Sequence, residues 1–311
     1  MAQEDAFVGI DVSKARLDVA VLPSGEAFEL SNDEGGWREL VRRLRPLGAA
    51  AIGLEASGGY ERAVLRALIE AGLAGRLVNP LRVRQFARAC GTMAKNDRID
   101  ALTIARFVQL IPQRKTVRSR AVDALAELVT ARRQVTDEIT RLKSQADHST
   151  QTLLKRLAKA RAVHLDRDRA ILDKAIAAAI AADPDLAAKQ RLMRSVPGVG
   201  PVYAAALLAF MPELGNLTSK QAAALLGVAP FDCDSGGYKG QRRICGGRRN
   251  LRDIAYMAAL VAGTHNPVFK TAKDRLLAAG KPAKVALVAL MRKMIVTLNA
   301  ILRTNLPWAI N

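Results

Sequence analysis

Between Ala121 and Asp183 the chain has neither glycine nor proline. A stretch that long without a breaker can only be helical, because any other backbone would need turns it has no residues to make. Positions 125, 128, 135, 139, 142, 146 and 153 are apolar at three- and four-residue steps. The same steps pass through Arg132 and Ser149, so the heptad is imperfect. Two arrangements fit: a helical hairpin packed on its own domain, or a coiled coil that dimerises the chain. The pattern favours the coiled coil, and residues 116–190 are expected to form this helical connector.

The region before it reads differently. Ala6–Val12 and Leu17–Leu22 are short Val-rich runs, and Pro23-Ser24-Gly25 turns the chain into Glu26–Leu30. Asn32 and Asp33 can cap a helix through Trp37, Leu40, Val41 and Leu44. A buried-type strand follows at Ala49–Glu55, then a helix with Val64, Leu65, Leu68 and Ile69 on one face, and a short strand at Leu77-Val78. Helices over Leu81–Ala89 and Arg98–Leu110 complete the order β β β α β α β α, a mixed sheet flanked by helices occupying residues 1–115. Pro184 and the run SVPGVGP at 195–201 mark a boundary near residue 190. Residues 191–311 read as a mainly helical domain broken by a Gly- and Arg-rich insert from Ser235 to Arg249.

Several function classes drop out. The longest apolar runs, near Val202–Met211 and Ile176–Ala182, fall short of the ~20 residues that cross a bilayer, and MAQEDAFVGID is no signal peptide. Neither a membrane partner nor secretion is expected. Cys90, Cys233 and Cys245 make no CxxC pair, and the three histidines form no zinc motif. The compartment is expected to be reducing cytosol, and any metal would rest on carboxylates, which suits Mg²⁺ or Mn²⁺.

Charge is unevenly spread. Of 48 Lys and Arg against 29 Asp and Glu, residues 1–110 hold 15 and 14, residues 111–190 hold 16 and 10, and residues 191–311 hold 17 and 5. A cationic last third implies a polyanion, and nucleic acid is the natural one. Only 4% of residues are aromatic, which disfavours a binder of stacked single-stranded bases.

Three constellations carry chemistry. Asp11 in GIDVSK and Glu55 in GLEASGGYE end the first and fourth strands, and Asp97 and Asp100 in KNDRIDA share one face of a helix start. In a ribonuclease-H-like topology those two strands are central neighbours. Four converging carboxylates repel unless protonated or bridged by divalent metal, and two ions ~4 Å apart could clamp a phosphodiester. The plainer alternative is a cap, a solvated acid and a surface ion pair. Next, SVPGVGPVYAAALL has the form of a helix–hairpin–helix, in which Gly198 and Gly200 expose backbone N–H groups to a phosphate; the alternative is an ordinary tight corner. Last, APFDCDSGGYKGQRRICGGRRNLR sets Lys239, Arg242, Arg243, Arg248, Arg249 and Arg252 around a flexible backbone. Arginine forks there suit phosphate. Ser235 is a hydroxyl in that field, although a serine in a Gly-rich loop is most often a turn residue.

These motifs, in this order, together with AYMAALVA, HNPVFK, GKPAKVALVALMRK and the terminal Pro307-Trp308, resemble the insertion-sequence transposases of family one-ten. These are DEDD transposases akin to pilin-gene invertases and known as bridge-RNA-guided recombinases. The resemblance spans essentially the whole chain. It implies a RuvC-like first domain whose Asp11, Glu55, Asp97 and Asp100 bind divalent metal, and Ser235 as a nucleophile that links transiently to DNA. It also implies dimers pairing into a tetramer with composite sites, donor and target double-stranded DNA as substrates, a guide (bridge) RNA, and a nucleoid-associated place in the cytoplasm. Two other functions remain open on the residues alone. One is a metal-dependent endonuclease or resolvase that uses the carboxylates without the serine. The other is a structural nucleic-acid-binding protein with no catalysis, although four placed carboxylates in a near-neutral domain argue against a passive binder.

Overall fold

The computed structural model describes residues 5–91, 97–111, 119–232, 240 and 242–309, with Asp97 and Arg98 as backbone only. The chain divides into two compact units, Met1–Val117 and Arg118–Asn311.

The first unit contains β1 (Phe7–Val12), β2 (Arg16–Leu22), β3 (Ala27–Ser31), α1 (Glu34–Leu44), a 3-10 turn, β4 (Ala51–Glu55), α2 (Glu61–Glu70), β5 (Gly75–Val78), α3 (Pro80–Ala89) and α4 (Asp97–Leu110). Its sheet has the order β3-β2-β1-β4-β5. β1 and β2, and β2 and β3, pair antiparallel, whereas β1–β4 and β4–β5 are parallel. Local chemistry sets the ends of these elements. The Ser13 hydroxyl accepts from Arg16 N–H at 3.0 Å to close the first hairpin, and the Asp33 carboxylate caps α1 by accepting from Gly36 N–H at 2.9 Å.

Strand alternation then sorts the side chains. Val8, Ile10 and Val12, with Leu17, Val19, Val21, Ile52 and Leu54, pack on Leu40, Leu44, Val64 and Leu68 of α1 and α2. The opposite face, which carries residues 7, 9 and 11 of β1 and 51, 53 and 55 of β4, packs on Val83, Ile104, Phe107 and Val108 of α3 and α4. Gly9 and Gly53 are register partners in the middle of that face. A Cβ on Gly9 would lie 2.0 Å from the Ala101 carbonyl oxygen and 2.3 Å from Ala105 N, and one on Gly53 would lie 2.6 Å from Val108 Cγ1. Paired glycines therefore let α4 lie directly on the backbone of β1 and β4. The later part of α4 packs with Phe7 and Ala51 at the amino ends of the strands. Its start, Asp97 to Asp100, consequently lies toward their carboxyl ends.

The second unit is helical: α5 (Arg120–His148), α6 (Thr152–Ala181), α7 (Pro184–Arg194), α8 (Pro201–Phe210), α9 (Ser219–Leu226), α10 (Arg249–His265), α11 (Pro267–Ala278) and α12 (Ala283–Thr304), with a two-stranded ladder of β6 (Pro230–Phe231) and β7 (Arg243–Ile244). The breaker-free stretch is two helices rather than one. The chain leaves the helix at Ser149, whose φ of −81° and ψ of 136° are extended. The Ser149 N–H donates to the Ala146 carbonyl at 3.2 Å, and the chain turns there without glycine or proline. α5 and α6 then pack on each other, and Arg132 donates to Asp173 across the pair at 2.5 Å. Val122, Leu125, Ala126, Val129, Ile176 and Ile180 at the base of the pair join the helical core, while Leu153, Leu154 and Leu157 near the turn are exposed.

One expectation about apolar runs needs correction. α12 is long and apolar enough to cross a membrane by length and composition. A count of uninterrupted apolar residues misses it because Arg292 and Lys293 split the run. Leu290, Met291, Met294, Ile295, Leu298 and Ile301 are buried in the helical core. Asn299, also buried, accepts from Gly215 N–H at 2.9 Å and donates to the Leu217 carbonyl at 2.7 Å. These are the contacts of a core helix.

Candidate active site and nucleic-acid interface

Asp11 and Glu55 both occupy the α4 face of the sheet, at the carboxyl ends of neighbouring parallel strands. The β1–β4 register runs to Ile10 opposite Leu54, so the two acids stand one step beyond, about 5 Å apart at their backbones. Asp100 immediately precedes Ala101, the residue seated over Gly9. Asp11, Glu55 and Asp100 are half-buried, and none of them lacks an interaction in the structure. The Asp97 side chain lies outside the described residues, although the residue opens α4. Among the described residues, no three Asp, Glu, His or Cys side chains converge closely enough to hold a metal ion. Asp11, Glu55 and Asp100 thus share a face and an edge without forming a closed ligand set on their own.

Sequence reasoning gave no site role to four residues here. Asp18 is the β2 partner of Asp11 and shares its face, and Glu29 is in turn the partner of Asp18, so acids line this edge across four strands. Arg16 offsets the outer two, with Nε 3.0 Å from Asp18 and 3.6 Å from Glu29. Hairpin register would have revealed Asp18. Glu61, the second acid of GLEASGGYE, is buried. Its carboxylate accepts from the backbone N–H of Ser57 at 3.0 Å, the Ser57 hydroxyl at 3.1 Å and the N–H of Gly59 at 2.8 Å. Burial is the largest influence on Glu61 and pushes its pKa up, but the donors of Glu61, Gly59 and Ser57 together outweigh it and hold the group below the ordinary carboxylate value. Its oxygens are spent on shaping the loop after Glu55. Asn32, beyond β3 on the same edge, is the fourth; local sequence marks it with Asp33 as a cap for α1, and Asp33 makes that cap.

In the helical unit, the VPGVG turn joins α7 to α8. Gly198 has φ +101°, and a Cβ there would lie 2.6 Å from Ala262 Cβ and 2.7 Å from its Cα. This glycine is required both by its left-handed backbone and by close packing on α10. Buried Asn266 donates to the Pro197 carbonyl at 3.2 Å and holds the turn from the α10–α11 junction. Gly200, by contrast, is exposed at the N-cap of α8, with nothing near the position of a Cβ. Only Gly200 leaves room for a phosphate. A groove of about 980 Å³ opens beside the turn, walled by Val129, Ile176, Val202, Ile254, Met257 and Val261. Arg132 and Arg133 also line it, the first paired with Asp173 and the second with Asp137 and Asp253.

The basic insert divides into two kinds of cation. Its base is pinned by the β6–β7 ladder, Phe231 opposite Arg243. Arg248 makes a forked pair with Glu213 at 3.0 and 2.7 Å, and Arg252 donates to the carbonyls of Gly227 and Gly246 at 3.2 and 3.0 Å. Both arginines hold the seam where Gly247 approaches Gly227, so close that a Cβ on Gly247 would fall 2.3 Å from the Gly227 backbone. Arg242 pairs with Asp232. Arg243 and Arg249 are exposed. Ser235 and Lys239 lie outside the described residues.

Comparison with known proteins identifies the family. A family model described as a transposase, DEDD_Tnp_IS110, matches residues 8–155, and one described as the transposase IS116/IS110/IS902 family matches residues 190–274. The pilin gene-inverting proteins of Moraxella lacunata and Moraxella bovis are each 23% identical to the chain over 325 aligned positions, covering 97% of the chain and 97% of each relative. The first model contains Asp11, Glu55, Asp97 and Asp100, and the second contains Gly198, Gly200, Ser235 and the cations of the insert, in one order along one polypeptide. The chain belongs to the IS110 family of transposases, enzymes that process DNA.

Proposed function

We propose that the chain is an RNA-guided DNA transposase that cuts and rejoins strands at the ends of an insertion sequence. The observation that carries this reading is the meeting of Asp11, Glu55 and the start of α4 at one sheet edge, held there by Gly9 and Gly53. The strand order β3-β2-β1-β4-β5 supports a ribonuclease-H-like, RuvC-like assignment for residues 1–115. Residues 116–190 would join protomers into a dimer, and two dimers into a tetramer, by way of the exposed leucines near the α5–α6 turn. Residues 191–311 would bring the serine and the phosphate contacts. Guidance by RNA, and both donor and target duplexes as partners, rest on family membership.

Asp11, Glu55, Asp97 and Asp100 would hold Mg²⁺ or Mn²⁺. Their donor set is all hard carboxylate oxygen, which fits such an ion, and Asp97 must complete what the other three do not close. Bound there, the ion would offset charge building on the scissile phosphate. Ser235 Oγ would attack the phosphorus: an Oγ–P bond forms as one bridging P–O bond breaks, and the serine proton passes to the departing oxygen. The hydroxyl of another strand reverses the step and releases the serine, so strands are exchanged without external energy. The N–H groups of Gly200, Val202 and Tyr203 at the start of α8 (Pro201 has none), with Arg243 and Arg249, would hold backbone phosphates.

The test is a pair of variants assayed for DNA binding, strand exchange and a covalent protein–DNA band. Ser235→Ala should bind DNA normally and lose both exchange and the covalent band. Asp11→Asn should also bind and fail to exchange. Recombination retained by Ser235→Ala would reject the serine step and leave cleavage to the carboxylates.

A further inference from the structure

The ladder between β1 and β4 ends at Ile10 and Leu54, one residue short of the two acids. Asp11 is paired on its outer side with Asp18 of β2 and Glu55 with Val78 of β5, but no ladder pair joins the two acids to each other, and the loops that follow them are tied together by one side chain. Asn32 sits just past the carboxyl end of β3, on the same edge of the sheet. Its backbone N–H donates to the Ala15 carbonyl at 2.9 Å. Its side-chain Nδ2 donates to the Ser13 carbonyl at 2.8 Å and the Tyr60 carbonyl at 3.4 Å. Ser13 lies two residues beyond Asp11, and Tyr60 five beyond Glu55. The Asn32 oxygen accepts from Trp37 Nε1 at 2.8 Å. An indole nitrogen can only donate, so Trp37 forces the oxygen toward itself and the amide NH₂ toward the two carbonyls. Glu61 fixes the shape of the second loop through Ser57 and Gly59 and so presents the Tyr60 carbonyl.

We infer that Asn32, aimed by Trp37, is a positioning residue that sets the separation of Asp11 and Glu55 by clamping the loops after β1 and β4. The inference rests on the reading of those acids as metal ligands. Two carboxylates at a strand edge repel each other, and without a tether the loops would let them spread. With the tether they are presented at a spacing that a single cation can bridge. Contacts of this outer kind typically change metal affinity by about 10- to 100-fold.

The experiment measures Mn²⁺ binding to the purified full-length chain by titration calorimetry, with the melting temperature recorded for every variant. Asn32→Ala is expected to weaken Mn²⁺ binding by about tenfold. Trp37→Phe keeps the ring and removes only the N–H that aims the amide, and it should weaken binding several-fold at an unchanged melting temperature. Where Asn32→Ala fails to fold, Trp37→Phe decides alone. Wild-type Mn²⁺ affinity in Trp37→Phe overturns the inference, as does a loss of affinity that only tracks a fall in melting temperature. Asp11→Asn separates the two levels. If it leaves Mn²⁺ binding intact, the metal reading itself has failed; if it abolishes binding while both clamp variants bind normally, only the clamp has failed.

Discussion

Replacing Gly9 with alanine adds one methyl group to the middle of β1, where α4 leaves no room. The new Cβ would sit 2.0 Å from the Ala101 carbonyl oxygen and 2.3 Å from Ala105 N, about 1.4 Å inside ordinary van der Waals contact at the closer point. Both obstacles are helix backbone, so no rotamer change relieves them and α4 must lift. Lifting also pulls Ile104, Phe107 and Val108 from their cluster with Ala51 and Val78. Overpacking a core costs about 1–3 kcal/mol when side chains can adjust; with rigid backbone on both sides the upper end, about 3 kcal/mol, is expected. For a domain of this size that lowers the melting temperature by roughly 10 °C. Trp37 reports on this unit, and a Trp308→Phe background removes the other tryptophan of the chain. Urea unfolding followed by Trp37 fluorescence would read the change. Gly35→Ala in α1 is the control, since its Cβ meets only the Asp33 carboxylate at 3.2 Å and should stay within about 1 kcal/mol of wild type. A Gly9→Ala protein as stable as the control would refute the idea that paired glycines seat α4 and bring Asp100 toward Asp11.

Four further outcomes are expected. Asn299→Leu leaves the buried Gly215 N–H and Leu217 carbonyl unpaired, which should cost about 2–4 kcal/mol in urea unfolding followed by Trp308 fluorescence. Glu61 has a folded-state pKa below its unfolded value, so its contribution is present above the unfolded carboxylate pKa, near 4.3, and is lost as pH falls through the lower folded value. Glu61→Gln should therefore be less stable than wild type at pH 7 and approach it toward pH 3; a deficit constant with pH would contradict the hydrogen-bonded carboxylate. Arg243→Gln and Arg249→Gln should each reduce the slope of log DNA affinity against log salt by about 1. Arg248→Gln, which breaks the pair with Glu213, should instead lower the unfolding midpoint of the helical unit.

Much of this was legible one segment at a time. The strands through Val12 and Leu22 follow from short Val-rich runs between turn residues, the strand ending at Glu55 from a short apolar run, and the helical character of residues 121–183 from their apolar steps. The acids sit at strand ends because the apolar run stops there. Of the two arrangements open to the breaker-free stretch, the structure shows the helical hairpin, turning at Ser149 without glycine or proline. The basic insert misled because composition counts charges and cannot see partners: Glu213, thirty-five residues before Arg248, claims that arginine.

The sequence by itself determined which residues are apolar, which are charged and where the chain can turn, since these depend on neighbours a few positions away. Only the tertiary structure decided that β4 crosses to lie parallel beside β1, that α4 settles on two glycines 44 residues apart, and that Asn32 ties the loops after both acids. Those relations join segments distant along the chain. They are set by burial and hydrogen bonding across the sheet edge, which no local pattern of residues encodes.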